Sequence, residues 1–81
     1  MIRNETTFLT FISTELLVSL EEISMSTELR QIRTWSSLNA LVLISRINEE
    51  IDVIISSIDL ASIGSIADLY SFLLAQKNGV S

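Results

Sequence analysis

Two adjacent hydroxyls, Ser36 and Ser37, stand in the string Trp35-Ser36-Ser37-Leu38-Asn39-Ala40-Leu41, where an irregular polar stretch turns strongly apolar. A serine at the mouth of a helix has two uses. It caps the helix by accepting a hydrogen bond from a first-turn N–H, which stabilises the helix by about 1 kcal/mol. It is also a handle, because free backbone N–H groups and the positive end of the helix dipole make that spot hospitable to a phosphate. The residues alone leave both uses open. If only the first applies, Ser36 is the cap and Ser37 an ordinary first-turn residue.

Little else in the chain suggests chemistry. Glu49, Glu50 and Asp52 are the nearest thing to a carboxylate cluster. Neighbouring helical residues point in different directions, so Glu49 and Glu50 cannot jointly flank one bond, and a solvated face is the expected reading. There is no histidine, which removes the commonest general base and metal ligand. There is no cysteine either, hence no disulfide framework and no thiolate nucleophile. Neither a calcium-loop spacing nor a glycine-rich phosphate loop occurs. We expect a non-enzyme, with no catalytic residue and no metal site.

The elements that must position the two serines read as helices throughout. The spacing of Leu9, Ile12, Leu16 and Leu20, widened by Phe8 and Phe11, predicts a first helix over about 5–19, with Glu5 suited to its positive end. Residues 20–36 predict a long first loop, held down by Ile23, Met25, Leu29 and Ile32, with a turn near Thr27 to Ile32 and Trp35 pinning its far end. A second helix is expected from Ser37 to Ile51, burying Ala40, Leu43, Ile44, Ile47 and Ile51. Leu38, Leu41 and Val42 fall off that stripe and indicate either a broad core contact or an exposed docking patch. Val53-Ile54-Ile55 reads as an extended, buried connection. Cap signals at Ser56-Ser57-Ile58-Asp59 and Ser65-Ile66-Ala67-Asp68 predict a short third helix over 57–62, ending near Gly64, and a fourth over 66–76. The fourth buries Ile66, Leu69, Tyr70 and Leu73, and Lys77 and Gly79 suit its end. The expected architecture is an all-α four-helix bundle.

The 81 residues suit one small domain with a single core. Hydrophobic residues make up 48% and charged residues 19%, the balance of a globular chain rather than a disordered one. A formal charge of −5 argues against nucleic acid and anionic membrane surfaces and suits basic protein partners. No apolar run approaches the roughly 20 residues that span a bilayer. Met1-Ile2-Arg3-Asn4-Glu5 lacks the basic start and apolar run of a signal peptide, so a cytoplasmic location is expected. Asn4-Glu5-Thr6 fits a glycosylation pattern by chance.

The chain resembles the acyl carrier protein family, which includes the peptidyl carrier proteins. The family's signature is Asp-Ser-Leu at the start of the second helix, preceded in one branch by Trp; here the string is Trp35-Ser36-Ser37-Leu38. Leu38 through Glu50 continue in similar register, with Ile44, Ile47, Glu49 and Glu50. Ile51 to Ser56 follow as the connecting loop, then the Asp68-Leu69 helix, and Thr27-Glu28-Leu29-Arg30 matches the turn before the Trp. The resemblance implies a bundle with three longer helices, a short third one and a long first loop. It also implies a 4'-phosphopantetheine arm attached to Ser37, with Ser36 and Leu38 beside it. A phosphopantetheinyl transferase would place the arm from coenzyme A. Acyl- or aminoacyl-loading and condensing enzymes of fatty acid, polyketide or nonribosomal peptide biosynthesis would then use it. Leu41 and Val42 would contact those partners through apolar surface, Glu49 and Asp52 through charge, and the carrier would be a monomer. Ser36 replaces the family's Asp, while Asn39, Val42, Asn48 and Arg46 thin its acidic second helix, which points to a specialised carrier. The alternative is a carrier-like module that is never modified and binds a partner through Leu38, Leu41 and Val42.

Overall fold

The computed structural model describes residues 4–78. Four helices follow in chain order: α1, Glu5–Leu16; α2, Ser37–Ile51; α3, Ser57–Ser62; and α4, Ile66–Asn78. Short 3-10 turns at Leu20–Glu22 and Leu29–Gln31 punctuate the long first loop. The described residues contain no named strand, only one backbone bridge between Glu28 and Ser65. The architecture is a small all-α bundle, and no helix among the described residues is long and apolar enough to cross a membrane.

α1 starts on Asn4, whose side chain accepts a hydrogen bond from Thr7 N–H at 2.8 Å, so the asparagine of the chance glycosylation pattern is the helix cap. It stops at Leu16, three residues before the expected end. Leu17 adopts the left-handed conformation (φ 58°), and Val18 N–H turns back to the Ser13 carbonyl at 3.1 Å. That is a Schellman-type ending built without glycine. The buried stripe is Phe8, Ile12 and Leu16; Leu9 and Phe11 are only half-buried, and Leu20 lies outside the helix and exposed. A fully buried i, i+4 row faces the core, and Leu9 and Phe11 pack against it at the sides, so only Leu20 departs from the expected stripe.

The long loop is anchored as its apolar residues predict: Ile23, Leu29 and Ile32 are buried, and Met25 and Trp35 pack against the core. It also completes α4. The free N–H groups of Ile66 and Ala67 donate to the carbonyls of Thr27 (2.9 Å) and Met25 (2.8 Å). Asp68 N–H donates to Ser65 Oγ while Ser65 N–H donates to the Asp68 carboxylate, both at 3.1 Å, which is a reciprocal capping box. The bounds of α2 and α3 agree with those read from sequence, and α4 runs two residues beyond the expected end. Lys77 lies in its last turn; Gly79 lies outside the described residues. After α2 the connection alternates, with Val53 and Ile55 buried and Ile54 turned outward.

One core joins these pieces. Leu43, Ile47 and Ile51 of α2 meet Phe8, Ile12 and Leu16 of α1 and Ile66, Leu69 and Leu73 of α4 in a single cluster. Leu60 is the buried residue of α3, and Ala40, Ile44 and Tyr70 close the edges of the core. Each large aliphatic buried here contributes about 1.5–3 kcal/mol, which holds the start of α2 at a fixed place on the molecule.

Candidate functional site

The junction between the long loop and α2 is held from both sides. Ser36 is extended (φ −157°, ψ 167°), and its Oγ accepts the Asn39 N–H at 3.1 Å while its carbonyl accepts the Ala40 N–H at 2.8 Å. It is therefore the N-cap of α2. Asn39 in turn donates its side-chain amide to the Thr34 carbonyl at 2.7 Å, and the Thr34 hydroxyl donates to the Leu16 carbonyl at the end of α1. These bonds tie the last turn of α1 to the first turn of α2. They fix the direction in which the next residue points.

That residue is Ser37, the first of α2. It is exposed, and its hydroxyl has no hydrogen-bond partner among the described residues. The neighbouring serines thus differ: one oxygen is committed to the backbone and the other is free. No acidic residue occupies the first turn of α2, so no fixed negative charge offsets the positive end of its dipole.

A cleft of about 510 Å3 opens beside the junction. Trp35, Ser36 and Ser37 reach it from the junction, Ala40, Leu41 and Ile44 from α2, and Leu60 and Ala61 from α3. Arg30 and Ser57 complete its lining. The volume falls within the roughly 300–1,000 Å3 of small-molecule sites, which share this apolar lining with a few polar groups. Arg30 donates to the Ala61 carbonyl and, at 3.5 Å, to the Ile63 carbonyl, so it caps the end of α3.

Leu38, Leu41 and Val42 form a patch at i, i+3 and i+4 on the outer face of α2, with 70%, 58% and 41% of their surface exposed. Of the two accounts of their apolar character, a broad core contact is ruled out. Ile58, in the first turn of α3, is also exposed.

The acidic positions are arranged differently. Arg46 pairs with Glu49 at 2.6 Å and Glu50 at 3.1 Å along α2, and with Glu15 of α1 at 3.1 Å. The Arg46 guanidinium is pushed above its ordinary value by the hydrogen bond it donates to Glu15, then by the one it donates to Glu49. Glu49 is thus engaged within the chain. Asp52 ends α2 in the left-handed conformation (φ 63°), at the far end of the helix from Ser37. The fold therefore brings Ser36, Ser37, Leu38, Leu41 and Val42 together at one end of α2 and leaves Asp52 at the other. Sequence reasoning missed Arg30 as a cleft residue. Its place is set by carbonyls more than 30 positions away, and no local signal marks it.

Comparison with family models, with curated proteins and with solved structures gives no match to this chain.

Proposed function

We propose that the protein is a specialised carrier that holds an acyl or aminoacyl group on a 4'-phosphopantetheine arm attached to the Ser37 hydroxyl. The observation that carries the reading is the pairing of a free, exposed Ser37 hydroxyl with an apolar cleft at the first turn of α2. Three longer helices, one short third helix and a long first loop agree with the acyl-carrier arrangement that the sequence resembles.

The chain's residues fit such a group. In the attachment step the Ser37 oxygen displaces adenosine bisphosphate from the pantetheine phosphate of coenzyme A. A new P–O bond forms as the diphosphate bond breaks, and the hydroxyl proton passes to the transferase. Ser36 keeps the first turn of α2 in place throughout, because its own oxygen is already committed to Asn39 N–H. A phosphodiester on Ser37 would lie near the positive end of α2, whose first turn carries no acidic residue. When attached, the arm supplies a terminal thiol that holds the cargo as a thioester. Trp35, Leu41 and Ile44 offer apolar surface beside its root. The chain performs no reaction of its own; it presents the cargo to loading and condensing enzymes.

Those enzymes dock on Leu38, Leu41 and Val42. With Glu49 and Glu50 engaged by Arg46, apolar contact outweighs charge at this surface, and Asp52 adds an acidic contact at its periphery. The test is incubation of the purified protein with coenzyme A and a panel of phosphopantetheinyl transferases, read by intact mass. Wild type and Ser36→Ala gain one arm, and Ser37→Ala gains none. Wild type left unmodified by every transferase would favour the unmodified binding module.

A further inference from the structure

Three arginines lie among the described residues, and one differs from the others. Arg33 pairs with Glu22, and Arg46 pairs with Glu15, Glu49 and Glu50. Arg30 has no carboxylate partner among the described residues. Its guanidinium is held instead by two neutral carbonyls, those of Ala61 and Ile63, at the end of α3. It also lines the same cleft as Ser36 and Ser37, and every other residue lining that cleft is uncharged. In a chain of net charge −5, the one ionised side chain on the cleft is therefore a cation without a counter-charge.

A guanidinium offers five N–H donors in a planar fork that matches two oxygens of a phosphate. The two carbonyls engage Nη1 and Nη2, so donors remain for a further acceptor. They also restrain the side chain, which reduces the rotamer freedom lost when an anion binds. The two residues before Ser37 are Trp35 and Ser36, so no neighbouring acid competes for the guanidinium.

We propose that Arg30 is the binding residue for the phosphate esterified to Ser37. It clamps the phosphodiester against α3 and couples the arm's attachment to the position of that helix. This rests on the carrier reading above. Loading supplies the counter-charge that Arg30 lacks, so the loaded form gains an interaction that joins the long loop, the start of α2 and the end of α3.

The test compares wild type, Arg30→Lys and Arg30→Gln, each loaded from coenzyme A and verified by intact mass. The phosphorus-31 shift of the phosphodiester and the thermal midpoints of the loaded and unloaded forms are then measured. In wild type, loading raises the midpoint, and added salt moves the phosphorus signal towards its position in Arg30→Gln. The rise is partial in Arg30→Lys and lost in Arg30→Gln. Because Arg30 also caps α3, a second measurement uses wild type alone: on loading, the Arg30 side-chain N–H resonances shift while those of Arg33 and Arg46 stay. Loading without a shift at Arg30, or an identical phosphorus signal and midpoint rise in Arg30→Gln, overturns the assignment and leaves the carrier reading intact. Failure of wild type to load refutes both, and the mass measurement registers that first.

Discussion

Replacing Ser36 separates the two serines by energy. In Ser36→Ala the Asn39 N–H loses its acceptor at 3.1 Å while the rest of the first turn is untouched. Loss of such a cap costs about 1 kcal/mol, towards the lower part of the range here because the site is exposed and water takes over part of the bond. In a domain of this size, that lowers the thermal midpoint by about 4–8 °C. Ser36→Asp keeps an accepting oxygen and places a negative charge at the start of α2, whose first turn carries none, for a gain of about 0.3–1 kcal/mol. Ser37→Ala removes a hydroxyl that bonds to nothing described and leaves stability unchanged. Urea unfolding followed by the fluorescence of the single tryptophan, Trp35, and independently by helical circular dichroism reads all three. Equal losses in Ser36→Ala and Ser37→Ala, or a less stable Ser36→Asp in the unloaded form, would refute the division of roles.

Other substitutions probe other parts of the fold. Leu17→Gly stabilises the protein by roughly 1 kcal/mol, because a leucine in the left-handed conformation is strained and this one buries little; a lower urea midpoint would contradict that. Leu43→Ala, at a fully buried position, costs about 2–5 kcal/mol, whereas Leu41→Ala on the outer face changes stability by less than about 0.5 kcal/mol; under the proposed carrier role it instead weakens binding to a phosphopantetheinyl transferase, read by titration calorimetry. Glu22 is held at about 2, below the ordinary 4.5, first by the hydrogen bond from Arg33 and then by that from Ser19 N–H. Its folded value is depressed, so its contribution is present above about pH 4.5 and lost as pH falls towards 2. The stability gap between wild type and Glu22→Gln therefore closes over that window. It also narrows with added salt, because the pair is exposed. A gap independent of both pH and salt would show that the pair does not act in solution.

The helical architecture was legible because caps and periodicity agree along most of the chain. Ser36, Ser56 and Ser65 each mark a helix start by a hydroxyl that does cap it. The end of α1 was not legible. Leu20 continues the apolar period past a reversal at Leu17, and the residue in the left-handed conformation is a leucine where glycine would have announced the stop. At the other end of α1, Asn4 carries an ordinary cap signal directly before Glu5, and its side chain does cap the helix. At the site, the free state of Ser37 and the exposure of Leu38, Leu41 and Val42 follow from local spacing once the core face of α2 is known. The commitment of Glu49 to Arg46 is local as well, but the third carboxylate comes from Glu15 on α1, 31 residues away. Arg30 depends wholly on the packing of the loop against α3, which no sequence period encodes.

The central claim is that Ser37 carries a covalent arm, and the most direct measurement is peptide mapping of the natively expressed protein. Cleavage after Arg33 and Arg46 releases a peptide running from Thr34 to Arg46, which contains Ser36, Ser37 and Ser45. The carrier account predicts a phosphopantetheine adduct on this peptide, with fragment ions placing it on Ser37. An unmodified peptide from cells that co-express the cognate transferase, or an adduct on Ser36 or Ser45, would contradict it.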